Sequence, residues 1–410
     1  MRVLLTLEDH LARRNDGHYY VPGPAHYSEW TELLDFFDQV VVLARAARKD
    51  SLSGTEKRVD GPSISVHGLP DYTGPWQYLS KLPTLRAQVR FAVAECDTYL
   101  LRVPGLVSRL AWREIRRMRR GYAAEVVGDP WDALGPETTP GLFRPLYRRI
   151  ATRGMREICT EATSVLYWSW EALQRRYPPG KDSHSFAAPK ITLGDGLASA
   201  ELMAQRVRRI QKWVSSKGDS AEPLRIGYVG TFATMYKGPD TLLHALARCK
   251  HSNLNIKVLF VGEGRYRQAM EAMARNLSIQ DRTVFLGQLG VGSPIVEFLD
   301  SVDLFVMPSR AEGFSRAFLE AMARGCPCIG TKVGAIPEML ADDDLVSPGD
   351  PEGLAQKIFD VTANLERMEA MSQRNLQKVK QFSPDRLREV RRAFYRSLGA
   401  TPQSAARSST

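Results

Sequence analysis

Short apolar runs alternate with longer amphipathic segments along nearly the whole chain. In the first half the runs are RVLLTL (2–7), QVVVLAR (39–45), SISVHGL (63–69), TYLLRV (98–103), YAAEVVG (122–128), TSVLYWS (163–169) and PKITLG (189–194). Short β-branched runs separated by helical stretches predict a parallel sheet covered by helices. SAELMAQRVRRIQKWV (199–214) predicts a helix, and the small, polar and breaking residues of SSKGDSAEP (215–223) predict a linker. A second series follows at once. Its strands are LRIGYVG (224–230), IKVLFVG (256–262), TVFLG (283–287), DLFVMPS (303–309) and CPCIGT (326–331), and its helices fall at 240–249, 265–277, 294–301 and 315–324. Two closing helices are predicted at 352–378 and 384–398, the second packing back on the first domain. The tail 399–410 lacks apolar anchors and is expected to be disordered.

The fold class is therefore α/β. Two Rossmann-like domains, 1–214 and 224–383, are expected to be joined by 215–223 and to face each other across a cleft at the carboxyl ends of both sheets. A length of 410 residues suits two domains, and 43% hydrophobic residues suffice for their cores.

Charge adds a second theme. The formal net charge is +10, and residues 101–181 carry 15 Lys and Arg against eight Asp and Glu. Such an excess points to an acidic partner, a phosphorylated substrate or an anionic membrane surface, or else to a solvated arginine-rich face. Within SRLAWREIRRMRRG (108–121), Trp112, Ile115 and Met118 share a helical face surrounded by arginines. This segment either rests on an anionic membrane or packs its stripe into the domain, so 101–120 is the candidate membrane contact. No aromatic-basic strand module or recognition helix supports nucleic-acid binding. The apolar run of MRVLLTLEDH is too short for a signal peptide, and no stretch has 18 consecutive apolar residues. A cytoplasmic protein is expected, with peripheral attachment to the inner face of the cell membrane as the further possibility. Five cysteines do not suggest a disulfide scaffold, and Cys326-Pro-Cys328 reads as a buried strand. No His or Cys cluster has zinc spacing. ADDDL (341–345) reads as a solvated loop.

The candidate chemistry lies in the second domain. Three strands exit through glycines, at Gly230, at Gly262 and Gly264, and at Gly287 with Gly290. Glycine there either makes a turn or lets a ligand approach the backbone. Lys237 precedes a turn and helix, within reach of a phosphate at the sheet edge. SRAEGFSRAFLEAMARGCPCIGT (309–331) places Glu312 before a turn, Ser315 as a helix cap and Glu320 inside the helix. Amides near Gly313, Phe314 and Ser315 form an anion site at the helix start, to which Arg316 can add charge. Carboxylates beside an anion site fit a ligand with both phosphate and hydroxyl groups: Glu312 can accept from a sugar and Glu320 from a ribose diol, or else both are solvated or helix-capping charges.

These pieces resemble the retaining nucleotide-sugar glycosyltransferases of family GT4, which adopt the GT-B fold. The matching segments are GYVGTFATMYKGPDTLLHAL, VLFVGEG, VFLGQL, VDLFVMPSRAEGFSRAFLEAMARGCPCIGT and KVGAIPEML, spanning about 224–350. The resemblance implies that Glu312 contacts the transferred sugar, Glu320 binds ribose, and Lys237 neutralises the diphosphate with the amides near Phe314 and Ser315. It implies transfer from a UDP- or GDP-linked sugar to a hydroxyl of a glycan or lipid-linked acceptor. No cofactor and no metal are expected.

Departures are visible. The family often has arginine after its first-strand glycine; here Thr231 follows Gly230, and Arg316, Arg265, an arginine of the first domain or Arg310 are candidate substitutes. The glycine-rich loop after the first strand is represented only by Gly17. The strand exit that often carries histidine has Gly128 and Asp129, and Asp129 can orient sugar or acceptor, assist proton transfer, or cap the turn before Pro130. Arg102 is a candidate phosphate or acceptor contact, or a structural ion pair. A nucleotide-sugar epimerase and a noncatalytic nucleotide-sugar-binding protein are the alternatives.

Overall fold

A computed structural model describes residues 1–23, 25–49, 56–135, 143–189, 196–216, 222–250, 254–290 and 292–399. The apolar runs become two sheets. The first holds β1 (Arg2–Arg13), β2 (Tyr19–Val21), β3 (Gln39–Arg48), β4 (Lys57–Arg58), β5 (Ile64–Pro70), β6 (Thr98–Val103), β7 (Ala123–Val126), β8 (Ser164–Tyr167) and β9 (His184–Ala187). A parallel array runs β5-β3-β1-β6-β7-β8-β9, and β2 and β4 add an antiparallel extension beside the far end of β1. The second sheet holds β10 (Leu224–Val229), β11 (Ile256–Val261), β12 (Thr283–Gly287), β13 (Leu304–Val306), β14 (Cys328–Thr331) and β15 (Leu345–Val346). All are parallel, in the order β12-β11-β10-β13-β14-β15. Both faces of these strands are covered, which is why they read as continuous apolar runs: Val258, Phe260, Leu304 and Phe305 are fully buried.

The carboxyl ends of the sheets meet. Glu338, in the short helix Ile336–Met339 after β14, accepts backbone N–H bonds from Trp170 at 2.7 Å and from Ala172, just beyond β8. Trp170 also packs on Phe382 with ring centroids 5.8 Å apart. The last helix, Pro384–Gly399, crosses to the first sheet, where Arg392 binds Asp35 at 2.6 Å and Ser397 meets Ser164 at 2.8 Å.

Several expectations shift. β1 extends to Arg13 through a register irregularity against β3 between Thr6 and His10. The short strands β2, β4 and β9 carry too little apolar periodicity to be read from sequence. PKITLG lies almost wholly outside the described residues, as do most of 215–223 and the tail. The helix Ala200–Ser215 packs on the second sheet, against the expected break after 214. Its buried Arg206 donates to the carbonyls of Val302, Leu299 and Arg324, and Trp213 donates to Asn255 O.

ADDDL is solvated only in part, at Asp342 and Asp343. Asp344 is buried, pairs with Arg374 and leads directly into β15. The arginine-rich helix Leu106–Arg117 turns its expected membrane stripe inward: Trp112 and Ile115 are buried, and only Met118 of the three is exposed. Trp112 donates to Glu161, Arg116 pairs with Glu161, and Arg117 pairs with Glu114. Most of the apolar face of 101–120 is thus core, with Leu106 and Met118 left exposed. The five cysteines are free and buried, Cys326 and Cys328 within the β14 region.

Candidate active site

The strand order of the second sheet reverses between β10 and β13, and their crossovers leave in opposite directions. That is where an open parallel sheet forms a crevice at its carboxyl edge. The loop after β10 carries Lys237, and the loop after β13 carries Glu312. Topology therefore brings together residues far apart in sequence.

The glycine exits form the crevice floor. Gly230 donates to Val261 O, and Gly262 donates to Gly287 O, so the three exits lock to one another across β10, β11 and β12. Gly262 has φ +145°, and a Cβ there would lie 1.9 Å from the Gly230 carbonyl oxygen. No other residue permits this approach. Gly264 packs as closely on Phe232 and Ala233. Thr231 closes the turn above them: its hydroxyl accepts from Ala233 N at 3.0 Å and reaches Glu263 O at 3.4 Å.

Lys237 forms an ion pair with Glu312, and both side chains are largely enclosed, 13% and 9% exposed. Ser309 Oγ lies 3.4 Å from the same carboxylate oxygen. The two loops are bolted together by Arg310. Its guanidinium takes Asp240 in a two-pronged pair at 2.9 and 2.6 Å and reaches Met235 O and Thr241 Oγ1, while its backbone N–H binds Tyr236 O. Arg310 is thereby spent on holding the Lys237 turn, not on offering charge to a phosphate.

Ser315 caps the helix Arg316–Ala323, accepting from Phe318 N at 3.5 Å. Among the described residues, the N–H groups of Gly313, Phe314 and Ser315 have no backbone acceptor. They immediately precede the helix Arg316–Ala323, at whose start the helix field favours an anion. Phe318 locks the helix by stacking edge-on against Phe305, with centroids 5.4 Å apart. Behind the turn, Gly334 has φ +51° and packs so closely that a Cβ would sit 1.7 Å from Glu312 O. Phe314 packs on Phe382, which in turn meets Trp170 of the first sheet, so the turn touches the domain junction. Glu320 is partly buried beside the exposed Arg316. Burial holds its carboxyl above the ordinary range, and Arg316 opposes that rise. Arg265 is exposed and lies over the Tyr266 ring at 4.8 Å.

The candidates of the first domain are placed differently. Asp129 caps the helix Pro130–Ala133 through Trp131 N, pairs with Arg176 and accepts from Tyr177 OH. Its oxygens are thus engaged inside the domain. Arg102 lies 3.3 Å from buried Glu125, with its guanidinium over Trp168 at 4.8 Å and Trp30 at 5.2 Å. Gly17 forms the exposed turn between β1 and β2, with φ +84° and open space around it. The structure does not bring these three onto the crevice residues.

Sequence reasoning missed Glu338 and Glu8. The KVGAIPEML segment contained Glu338, but nothing local shows that its carboxylate caps backbone of the other domain. Glu8 sits in the irregular stretch of β1, where it accepts from Val107 N at 2.6 Å and lies near Arg45. Desolvation pushes its carboxyl up to about 7, against the lowering effects of Arg45 and the helix-start amides. Among the described residues, no group of three or more His, Cys, Asp or Glu could hold a metal ion, and no helix is long and apolar enough to cross a membrane.

Two facing sheet-centred α/β units form the GT-B architecture. Residues 223–364 match the family described as glycosyl transferases group 1. That region is similar to this family, and the chain as a whole has the GT-B fold. Among relatives, Protein CapJ of Staphylococcus aureus is 22% identical over 360 residues, covering 87% of this chain and 85% of CapJ. N-acetyl-alpha-D-glucosaminyl L-malate synthase of Bacillus anthracis is 34% identical over 140 residues, 33% of this chain and 36% of that enzyme. Among solved structures, HepE of Anabaena in complex with UDP superposes with a TM-score of 0.64 at 17% identity, covering 98% of this chain and 100% of HepE.

Proposed function

We propose that the chain transfers a hexose from a UDP- or GDP-linked sugar, with retention of anomeric configuration, to a hydroxyl of a glycan or lipid-linked acceptor in polysaccharide or glycoconjugate synthesis. The observation that carries this reading is the Lys237–Glu312 pair beside the unbonded amides of 313–315, with Glu320 further along the helix. The lysine and the glutamate neutralise each other. A donor replaces that pair by two separate ones: phosphate oxygens take Lys237 and the turn amides, and sugar hydroxyls take Glu312. Glu320 accepts from the ribose diol. The mixture of anion site and carboxylates thus matches the two ends of a nucleoside diphosphate sugar. That HepE is solved with UDP, and also with UDP-glucose, supports the donor class.

As the glycosidic bond lengthens, charge grows on the leaving diphosphate. Lys237 and the helix start stabilise it before it can escape, which lowers the barrier. The bond to the sugar carbon breaks on the face from which the acceptor oxygen enters, and the departing phosphate oxygen takes the acceptor proton. Glu312 orients the sugar and forms no covalent bond to it. Closure of the two units, through Glu338 and the Trp170–Phe382–Phe314 contacts, excludes water from the reacting carbon.

Purified protein incubated with a panel of UDP- and GDP-sugars tests this. Acceptor-dependent release of nucleoside diphosphate, an unchanged anomeric configuration in the product, and loss of both in Lys237→Ala are expected. Binding without donor consumption for any acceptor tried would overturn the transfer reading. An inverted product would overturn only the retention.

A further inference from the structure

The exposed apolar side chains of the first domain are not scattered. Phe143, Leu146, Tyr147 and Ile150 are 66%, 56%, 49% and 41% exposed. Their spacing of three, four and seven residues puts all four on one stripe at the start of the helix Arg144–Glu161. The same helix then buries Met155, Ile158 and Cys159. Only its first two turns are apolar toward solvent, so core packing does not explain the stripe.

Charge around the stripe has one sign. From 143 to 156 the chain has Arg144, Arg148, Arg149, Arg153 and Arg156 and no acid. Arg148 folds over Trp131 and donates to its carbonyl, and Arg156 donates to Arg176 O. Arg149 and Arg153 stay exposed, Arg153 beside Glu157, the first acid of the helix. The nearby Asp132 is engaged with Arg176.

A second patch shares this end of the domain. The helix Gly74–Ala94 exposes Trp76 at 83% and Leu79 at 54%. Arg109, in the helix Leu106–Arg117, lies between the two flanking helices: it is near Tyr78 of one, and its guanidinium is 3.2 Å from where a Cβ on Gly154 of the other would lie. These helices follow β5, β6 and β7 in the chain, so their first turns stand at the carboxyl end of the sheet. That is the rim of the cleft.

We propose that this rim, built on Leu146, Tyr147 and Ile150 with Trp76 and Leu79 alongside, docks on an anionic lipid bilayer. Apolar side chains that face water singly are ordinary, but a stripe two turns long on a segment with five arginines and no acid is the pattern of a helix lying in a membrane interface. The arginines draw the protein to acidic headgroups, and the apolar stripe enters the acyl boundary. Docking at the rim presents the mouth of the cleft to anything anchored in that bilayer. The surface is separate from the donor crevice and stands whether or not the transfer reading does.

Vesicle flotation of the full chain tests it, with phosphatidylcholine alone and with phosphatidylglycerol added. Wild type is expected to float with the anionic vesicles at low salt, to leave them as salt rises, and to ignore the neutral ones. Leu146→Asn and Ile150→Asn should each lower partition about ten-fold. Arg149→Glu, on an exposed site that folding does not need, should lower it several-fold and flatten the salt dependence. Arg116→Gln with Arg117→Gln should bind as wild type. UDP calorimetry on the same preparations reports whether the donor site is intact, so loss of docking and loss of the donor reading are told apart. Absence of wild-type binding to anionic vesicles at low salt overturns the proposal. So does a concentration-dependent dimer that the Asn variants abolish without any vesicle binding, since the stripe would then be an interface between copies of this chain.

Discussion

The two sheets carry polar residues at their carboxyl edges in opposite ways. At the edge of the second sheet, charges are held ready but little spent: Lys237 and Glu312 pair with each other, with only Ser309 Oγ and the Tyr236 ring beside them, Glu320 accepts no side-chain hydrogen bond among the described residues, and the amides of 313–315 have no backbone acceptor among them. At the edge of the first, Asp129 satisfies a helix start, an arginine and a tyrosine at once, and Arg102 sits between Glu125 and two indoles. The lesson is that residue type and strand-end position do not make a site. A site keeps part of its hydrogen-bonding capacity for a ligand, whereas a structural cluster consumes it.

The sharpest break between the halves is in catalysis. Lys237→Ala should reduce kcat about 10²- to 10³-fold, the usual cost of removing one preorganised group from a developing anion. Glu312→Gln should reduce kcat about 10²-fold yet leave nucleoside diphosphate affinity unchanged or several-fold tighter, because it frees Lys237 from its counter-charge. Steady-state kinetics with diphosphate titrations separates the two. Asp129→Asn should instead leave kcat within about two-fold and lower stability by about 1–3 kcal/mol, since Arg176 loses one of its two carboxylate partners and keeps only Asp132. A large kcat loss in Asp129→Asn without unfolding would erase the contrast.

Next in size is the bridge between the halves. Glu338→Ala removes the acceptor for two backbone N–H groups of the first sheet's edge. It should lower kcat/KM about ten-fold while the separate donor affinity for UDP changes little, because closure rather than the crevice is affected. Kinetics and calorimetry on one preparation check this.

The smallest effect is on stability. The Glu8 carboxyl is raised by desolvation to about 7 in the folded protein. The folded state therefore holds a proton there that the unfolded chain has released, so stability is greatest below the unfolded value near 4.5 and falls as pH rises toward 7. Glu8→Gln should remove about 1–3 kcal/mol of that decline. Denaturant melts at pH 5 and pH 8 measure it; an equal decline in both proteins would assign it to other groups.

The sequence made the second half legible because its chemistry is local. Glu312, the turn, Ser315 and Glu320 lie within nine residues, and strand, turn and helix each have their own periodicity. Lys237 was legible as a lysine before a turn at a glycine exit. What stayed hidden needs contacts across long separations. Arg310 could not be assigned until it was seen holding Asp240, 70 residues away. Glu338 acts on backbone 168 residues earlier. The arginine-rich 108–121 segment misled because its helical face fits a core as well as a membrane. The stripe at 143–150 has the same periodicity, and only its exposure distinguishes it.

The central claim is that a nucleoside diphosphate binds the edge of the second sheet, and amide hydrogen exchange with and without UDP tests it most directly. The account predicts that UDP slows exchange at Gly313, Phe314 and Ser315 and in the 230–238 and 312–320 segments, that Lys237→Ala weakens this protection, and that the 129–133 turn is unaffected. Protection confined to the first half of the chain, or equal protection in Lys237→Ala, would contradict it.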